Sequence, residues 1–154
     1  VSTPTLLAVW TDLAEALRGI RSDGGYTHTV EPDAVVTEPV MALTVARSPF
    51  LVVGPTEGTS RQFLASMRVR ENPLLFAIEG YLDVDGLDPM RKAEAMSTLA
   101  ADIERALTRD LTRGGHAVRT LVRAPEFGMG FGAQSRVYVG VLVAVDLIRQ
   151  YGAS

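Results

Sequence analysis

The chain has no cysteine and only two histidines in 154 residues. Without a thiolate there is no disulfide framework, thiolate zinc site, iron–sulfur cluster or cysteine nucleophile. Aromatic residues are scarce, at 6%, and are not interleaved with basic ones as on the stacking platforms of single-strand nucleic-acid binders. Neither sign of charge dominates. Fifteen Lys and Arg against 18 Asp and Glu leave a net charge of -3, which creates no global field to draw in a phosphate backbone. Long apolar runs are also missing. The most apolar stretch, Val137 to Ile148, is interrupted by Asp146 and falls short of the roughly 20 residues a membrane helix needs. The opening VSTPTLLAVW lacks the basic region and small-residue cleavage site of a secretory signal, so neither export nor membrane insertion is expected.

What is present is the balance of a globular protein, 47% hydrophobic and 21% charged, in a chain long enough for one core. No repeat of 20–50 residues breaks it into smaller units. A single domain over residues 1–154 is expected.

Thr3-Pro4 is a cap-and-proline helix start. Leu6, Leu7, Trp10, Leu13, Ala14 and Leu17 then recur at helical spacing to about Ile20. Asp23-Gly24-Gly25 ends that helix, and alternation over Tyr26 to Val30 predicts a short strand. Prolines at 32, 39 and 49 forbid a long element, leaving room for an edge strand over Val40 to Val45. Phe50 to Val53 is a short apolar strand, and Thr56 to Ser60 a polar loop. Gln62 to Arg70 and Leu74 to Val84, joined by Glu71-Asn72-Pro73, read as a β-hairpin. Asp88-Pro89 starts a second helix with a stripe of Ala93, Met96, Ala100, Ile103 and Leu107. Ala117 to Ala124 is a strand, Pro125 to Gln134 a glycine-rich loop, and Arg136 to Leu147 the last strand. The class is α+β: a mixed or antiparallel sheet flanked by two main helices, with a β-hairpin.

The last strand carries Val137, Val139, Val141, Val143, Val145 and Leu147 on one face, by the period of two that a strand imposes. The other face, with Tyr138, Gly140, Leu142 and Ala144, is mostly apolar as well. Two helices can cover one face. The second cover is expected from a neighbouring copy.

Candidate sites are few. Asp83 and Glu94 stand at the first and twelfth positions of a calcium-type loop, but Leu87 and Asp88 replace the oxygen ligand and the glycine that such a loop needs at its fifth and sixth. Asp88 serves better as a helix cap. Gly128-Met129-Gly130-Phe131-Gly132 is followed by a strand, whereas a phosphate-cradling loop leads into a helix. That loop is expected to present Phe127, Met129 and Phe131 as an apolar partner contact, with core burial as the competing reading. His28 and His116 belong to no HExxH or GxSxG pattern, and no catalytic, cofactor or metal residue is assigned. Arg61, Arg68, Arg70, Arg119, Arg123 and Arg136 lie on or beside strands. They read as a solvated sheet face or a guarded edge, or as contacts to acidic groups on a partner, with Arg61, Arg68 and Arg70 the assembly candidates.

The order of elements resembles that of the tail-terminator (tail-completion) proteins of long-tailed bacteriophages and related prophages. The resemblance rests on a first helix ending in Gly24-Gly25-Tyr26, the Pro49-Phe50-Leu51-Val52-Val53 strand, a hairpin, and the Leu99-Ala100-Ala101-Asp102-Ile103-Glu104-Arg105-Ala106-Leu107 helix end. Asp110, Gly114-Gly115 and two final strands complete it. It implies a virion subunit, assembled in the host cytoplasm, that closes a hexameric ring at the head-proximal end of the tail tube and halts its growth. The implied partners are further copies, the tail tube protein and a head–tail connector or stopper, with DNA passing through the ring without specific readout. Within that segment Asp102, Glu104 and Asp110 are left between helix solvation, local pairing and ring contacts. Two other classes stay open: another joining or tube component of the same particle, and a small enzyme or ligand-binding domain, which would need a deep pocket with convergent polar groups.

Overall fold

The computed structural model describes residues 5–37, 48–56, 74–129 and 136–147. Helix α1 spans Thr5–Arg18, and short 3-10 turns at Ser22–Gly24 and Pro32–Ala34 lead to strand β1, Val35–Val36. Strands β2 (Phe50–Pro55) and β3 (Leu74–Asp83) precede helix α2 (Pro89–Thr108), and β4 (Ala117–Val122), β5 (Glu126–Met129) and β6 (Arg136–Leu147) complete the chain. The class is α+β, as the sequence pattern predicts.

The sheet runs β1-β2-β3-β6-β4, with β5 also on β6. Only β1 and β2 are parallel; the other pairs are antiparallel. Strand β3 occupies one side of β6 from Arg136 to Val145. Strands β5 and β4 therefore share the other side, β5 against Val137 to Gly140 and β4 against Val143 to Leu147.

Both helices cover one face of this sheet. Leu51, Val53, Leu74, Phe76, Ile78, Leu82 and the five valines of β6 from Val137 to Val145 are buried there with Met96, Leu99, Ile103 and Leu107 of α2. A fully buried valine or leucine contributes about 1.5–3 kcal/mol, so this interlayer holds much of the fold's stability. Gly80 permits the close approach of α2: a Cβ there would meet Leu51 and Leu99 methyls at 3.2 Å. Asp88 caps α2 by accepting the Arg91 N–H at 2.9 Å, which satisfies one of the free donors of the first turn. Ala93, expected on the stripe, is exposed one turn before it begins, and Leu147 is half-buried.

Several expectations change. Tyr26 to Val30 forms no strand, because its amides are taken by other partners: Thr27 and His28 donate to the Asp102 carboxylate, and Val30 to the Ile20 carbonyl. Glu126–Met129 is a strand rather than loop, paired to β6. Both sides of β3 are filled by β2 and β6, and the hairpin among the described residues is β5–β6. The Gln62 to Arg70 arm, the Thr3-Pro4 cap and the Val40 to Val45 strand lie outside the described residues.

Candidate assembly surface

Opposite the helices, β6 presents Tyr138, Gly140, Leu142 and Ala144, and β3 presents Leu75, Ala77, Glu79 and Tyr81 in register with them. Strand β4 adds Arg119 and Leu121, opposite Asp146 and Ala144. One end of this second face is aromatic and acidic. Phe50 and Tyr81 stack with ring centroids 4.9 Å apart, Tyr138 is tilted against Tyr81 at 5.5 Å, and the Tyr81 hydroxyl donates to Glu79 at 3.0 Å. Burial and then the Glu79 carboxylate raise the Tyr81 pKa above its ordinary value, and burial does the same for Tyr138, so both rings stay neutral hydrogen-bond donors. Tyr138 lies along its own strand across Gly140, where a Cβ would meet its hydroxyl at 2.5 Å.

The other end is apolar and open. Leu142 is 42% exposed and Leu121 50%, while Leu75 and Ala77, across β6 from β4, are half-buried and Ala144 is buried. Among the described residues seven large hydrophobic side chains stand out of the surface, and five of them, Leu111, Val118, Leu121, Phe127 and Leu142, belong to β4, β5, β6 or the turn before β4. Leu7 and Met90, the other two, sit near the starts of the helices. Scattered exposed leucines are ordinary, but a concentration along one edge marks a contact surface.

The predicted contact residues divide. Phe127 is on β5, opposite Val139, and 48% exposed. Met129 is on the same strand, opposite Val137. Arg61, Arg68, Arg70 and Phe131 lie outside the described residues. Arg119 is exposed and pairs with Asp146 at 2.7 Å, and Arg123 is exposed beyond the end of β4. Arg136 is no solvated guard: it is buried, bound to Asp83 at 2.6 Å, with its guanidinium 5.9 Å from the Phe50 ring centroid. Leu121 is an exposed apolar residue that the sequence reading misses, although the Arg119, Leu121, Arg123 alternation is there to read.

The charged clusters hold structure together. Buried Asp102 accepts the His28 and Thr27 amides at 2.7 and 3.1 Å, which makes it a local pairing group of the three roles left open. The His28 ring is 2.9 Å from the Thr98 hydroxyl through Nε2. Burial lowers its pKa, with Asp102 opposing. Asp110 accepts from the amides of Thr112 and Gly114 at 2.9 and 2.8 Å, and its pKa is pulled down to about 2, chiefly by the Thr112 hydroxyl and then by these amides. Glu104 is exposed. Arg113, with φ of 50°, is fully buried, donates to the Leu107 and Asp110 carbonyls, and lies 3.2 Å from Asp12. Nothing in its sequence context signals that burial.

A cleft of about 320 Å3 runs beside these groups, lined by Asp12, Glu15, Tyr26, Arg109, Asp110 and Arg113 among others. Neither histidine lines it. Its charges are engaged locally: Arg113 with Asp12, Glu15 with Arg18 at 2.6 Å, and Arg109 over the Tyr26 ring at 5.0 Å. Asp83 is bound to Arg136 and Asp88 to the helix start, and no group of three potential metal ligands occurs among the described residues. No helix among them is long and apolar enough to cross a membrane.

Compared with known proteins, the chain matches no family model and no curated protein.

Proposed function

We propose that this chain is a structural subunit of a hexameric ring that caps the head-proximal end of a bacteriophage or prophage-derived tail tube, ends tube polymerisation and offers the surface for head joining. The observation that carries the reading is the sheet itself: both helices lie on one face, while the other face exposes Leu142 and the neighbouring strand β5 exposes Phe127. An apolar face of this kind is covered when copies associate. The order of elements supports the same reading, since a first helix, an apolar strand, a long helix and final strands follow one another as in the tail terminators that the sequence resembles. The partners are then further copies, the tube protein on one side and a connector or stopper on the other, and the role requires no cofactor and no catalysis.

The test is the mass in solution by light scattering, with negative-stain images of the same sample. Six-subunit rings with a central hole that do not stack are the expected result. Rings that stack without limit would make the chain a tube or connector component instead. A monomer that also fails to bind purified tail tubes would overturn the reading.

A further inference from the structure

We infer that the outer edge of β4 is a docking site for an extended segment of another polypeptide, one that alternates acidic and apolar side chains and joins the sheet as a further strand. Docking of this kind does not depend on ring formation.

The backbone geometry comes first. The Arg123 N–H donates to the Leu142 carbonyl at 2.9 Å, in line with the register that sets Leu121 opposite Ala144 and Arg119 opposite Asp146. In an antiparallel ladder alternate residues direct N–H and C=O to the same neighbour. Arg119, Leu121 and Arg123 therefore face β6, and Thr120 and Val122 direct theirs outward. Among the described residues no strand pairs with that side, and Val118 and Leu121 along it are 65% and 50% exposed. Such an edge is a template for strand addition.

The side chains then select the strand. Arg119, Leu121 and Arg123 share the face away from the helices, giving cation, apolar group, cation at a spacing of two. An added strand places one side chain opposite each of these, and opposite charges and apolar pairs are the favoured cross-strand neighbours. Arg119 already meets Asp146, but its side chain is largely exposed, and a guanidinium has donors enough for a second carboxylate.

Charge also decides against a second copy as occupant. Pairing two β4 edges would crowd four arginines into one short ladder, which disfavours it. At the far end of the sheet, β1 is two residues long, and its edge is covered by Arg18, which donates to the Val35 and Pro32 carbonyls, each at 3.2 Å. Because register shifts between Ala117 and Arg119, the regular stretch is short, and the segment that fits it is short as well.

The probe is a fluorescent, end-blocked peptide, Thr-Glu-Thr-Val-Thr-Glu-Thr, beside a version with Lys for both Glu. Anisotropy reads binding, and amide hydrogen exchange reads the edge. The acidic peptide is expected to bind saturably and slow exchange at Thr120 and Val122 by about tenfold or more. Leu121→Lys should abolish binding with an unchanged circular-dichroism spectrum and unfolding midpoint. The Arg119→Glu, Arg123→Glu double variant should exchange preference and bind the lysine peptide. Absence of protection at β4 with millimolar peptide, or equal binding of both peptides to the native chain, overturns the inference. So does a native oligomer that Leu121→Lys dissociates, since the edge would then belong to a second copy.

Discussion

The buried carboxylate of Asp102 on α2 accepts the backbone N–H of His28 at 2.7 Å, across 74 residues of chain. With the Thr27 amide on its other oxygen at 3.1 Å, it ties the segment after α1 to the long helix. Arg105 reinforces the join, with its guanidinium 5.2 Å from the Tyr26 ring centroid and a hydrogen bond to the Gly25 carbonyl at 2.6 Å. Asp102→Ala leaves two partly buried amides without a charged acceptor and is expected to cost about 2–4 kcal/mol. Urea unfolding followed through Trp10, the only tryptophan, measures it. A loss below about 0.5 kcal/mol would show that water replaces the carboxylate.

Protonation of His28 should weaken the fold. Its folded pKa lies below the ordinary 6.5 because burial disfavours the imidazolium. The unfolded chain therefore binds the proton first, and stability falls as pH drops from about 6.5 toward the folded pKa. Melting temperatures across that range should decline for the native chain and flatten for His28→Gln.

Asp110 acts in the same direction at lower pH. Its carboxyl, held at about 2 by Thr112 and Gly114, contributes stability that is present above the unfolded value near 3.9 and lost as pH falls through about 2. Asp110→Ala should remove that part of the acid transition. An unchanged acid limb in the variant would place the sensitivity elsewhere.

Neighbours on β6 should respond in opposite ways. Val143 is fully buried, so Val143→Asp puts an unpaired charge into the core and is expected to cost at least about 4 kcal/mol, enough to prevent folding. Leu142 projects from the other face and is 42% exposed. Leu142→Glu should fold with stability within about 1 kcal/mol of native and shift the mass in solution toward the monomer. A folded Val143→Asp would mean that the strand is assigned to the wrong face.

Contact of α2 with the sheet at Gly80 leaves no room for a side chain, since methyl groups of Leu51 and Leu99 stand 3.2 Å from the point a Cβ would occupy. Gly80→Val should therefore destabilise by about 1–3 kcal/mol through overpacking, read by denaturant midpoint at constant slope.

What was legible in the sequence was local periodicity and local capping. Five valines at every second position placed β6 and chose its buried face, because a strand turns alternate side chains to opposite sides. Asp88-Pro89 placed the start of α2, because a cap and a fixed φ act within one turn. The apolar second face of β6 was likewise visible in Tyr138, Leu142 and Ala144. By contrast, Tyr26 to Val30 has the alternation of a strand, yet it forms none, since Asp102 claims two of its amides from a distant helix. Glu126–Met129 has the glycine content of a loop and is a strand, because β4 leaves the first half of β6 unpaired on that side. The burial of Arg113 against Asp12 and two carbonyls, and of Arg136 against Asp83, also depended on partners brought in by the fold. The sequence by itself determined the elements whose signals repeat within a few residues. Tertiary structure alone decided which backbone donors were already taken and which face and edge of the sheet remained open among the described residues, because those depend on groups brought together only by folding.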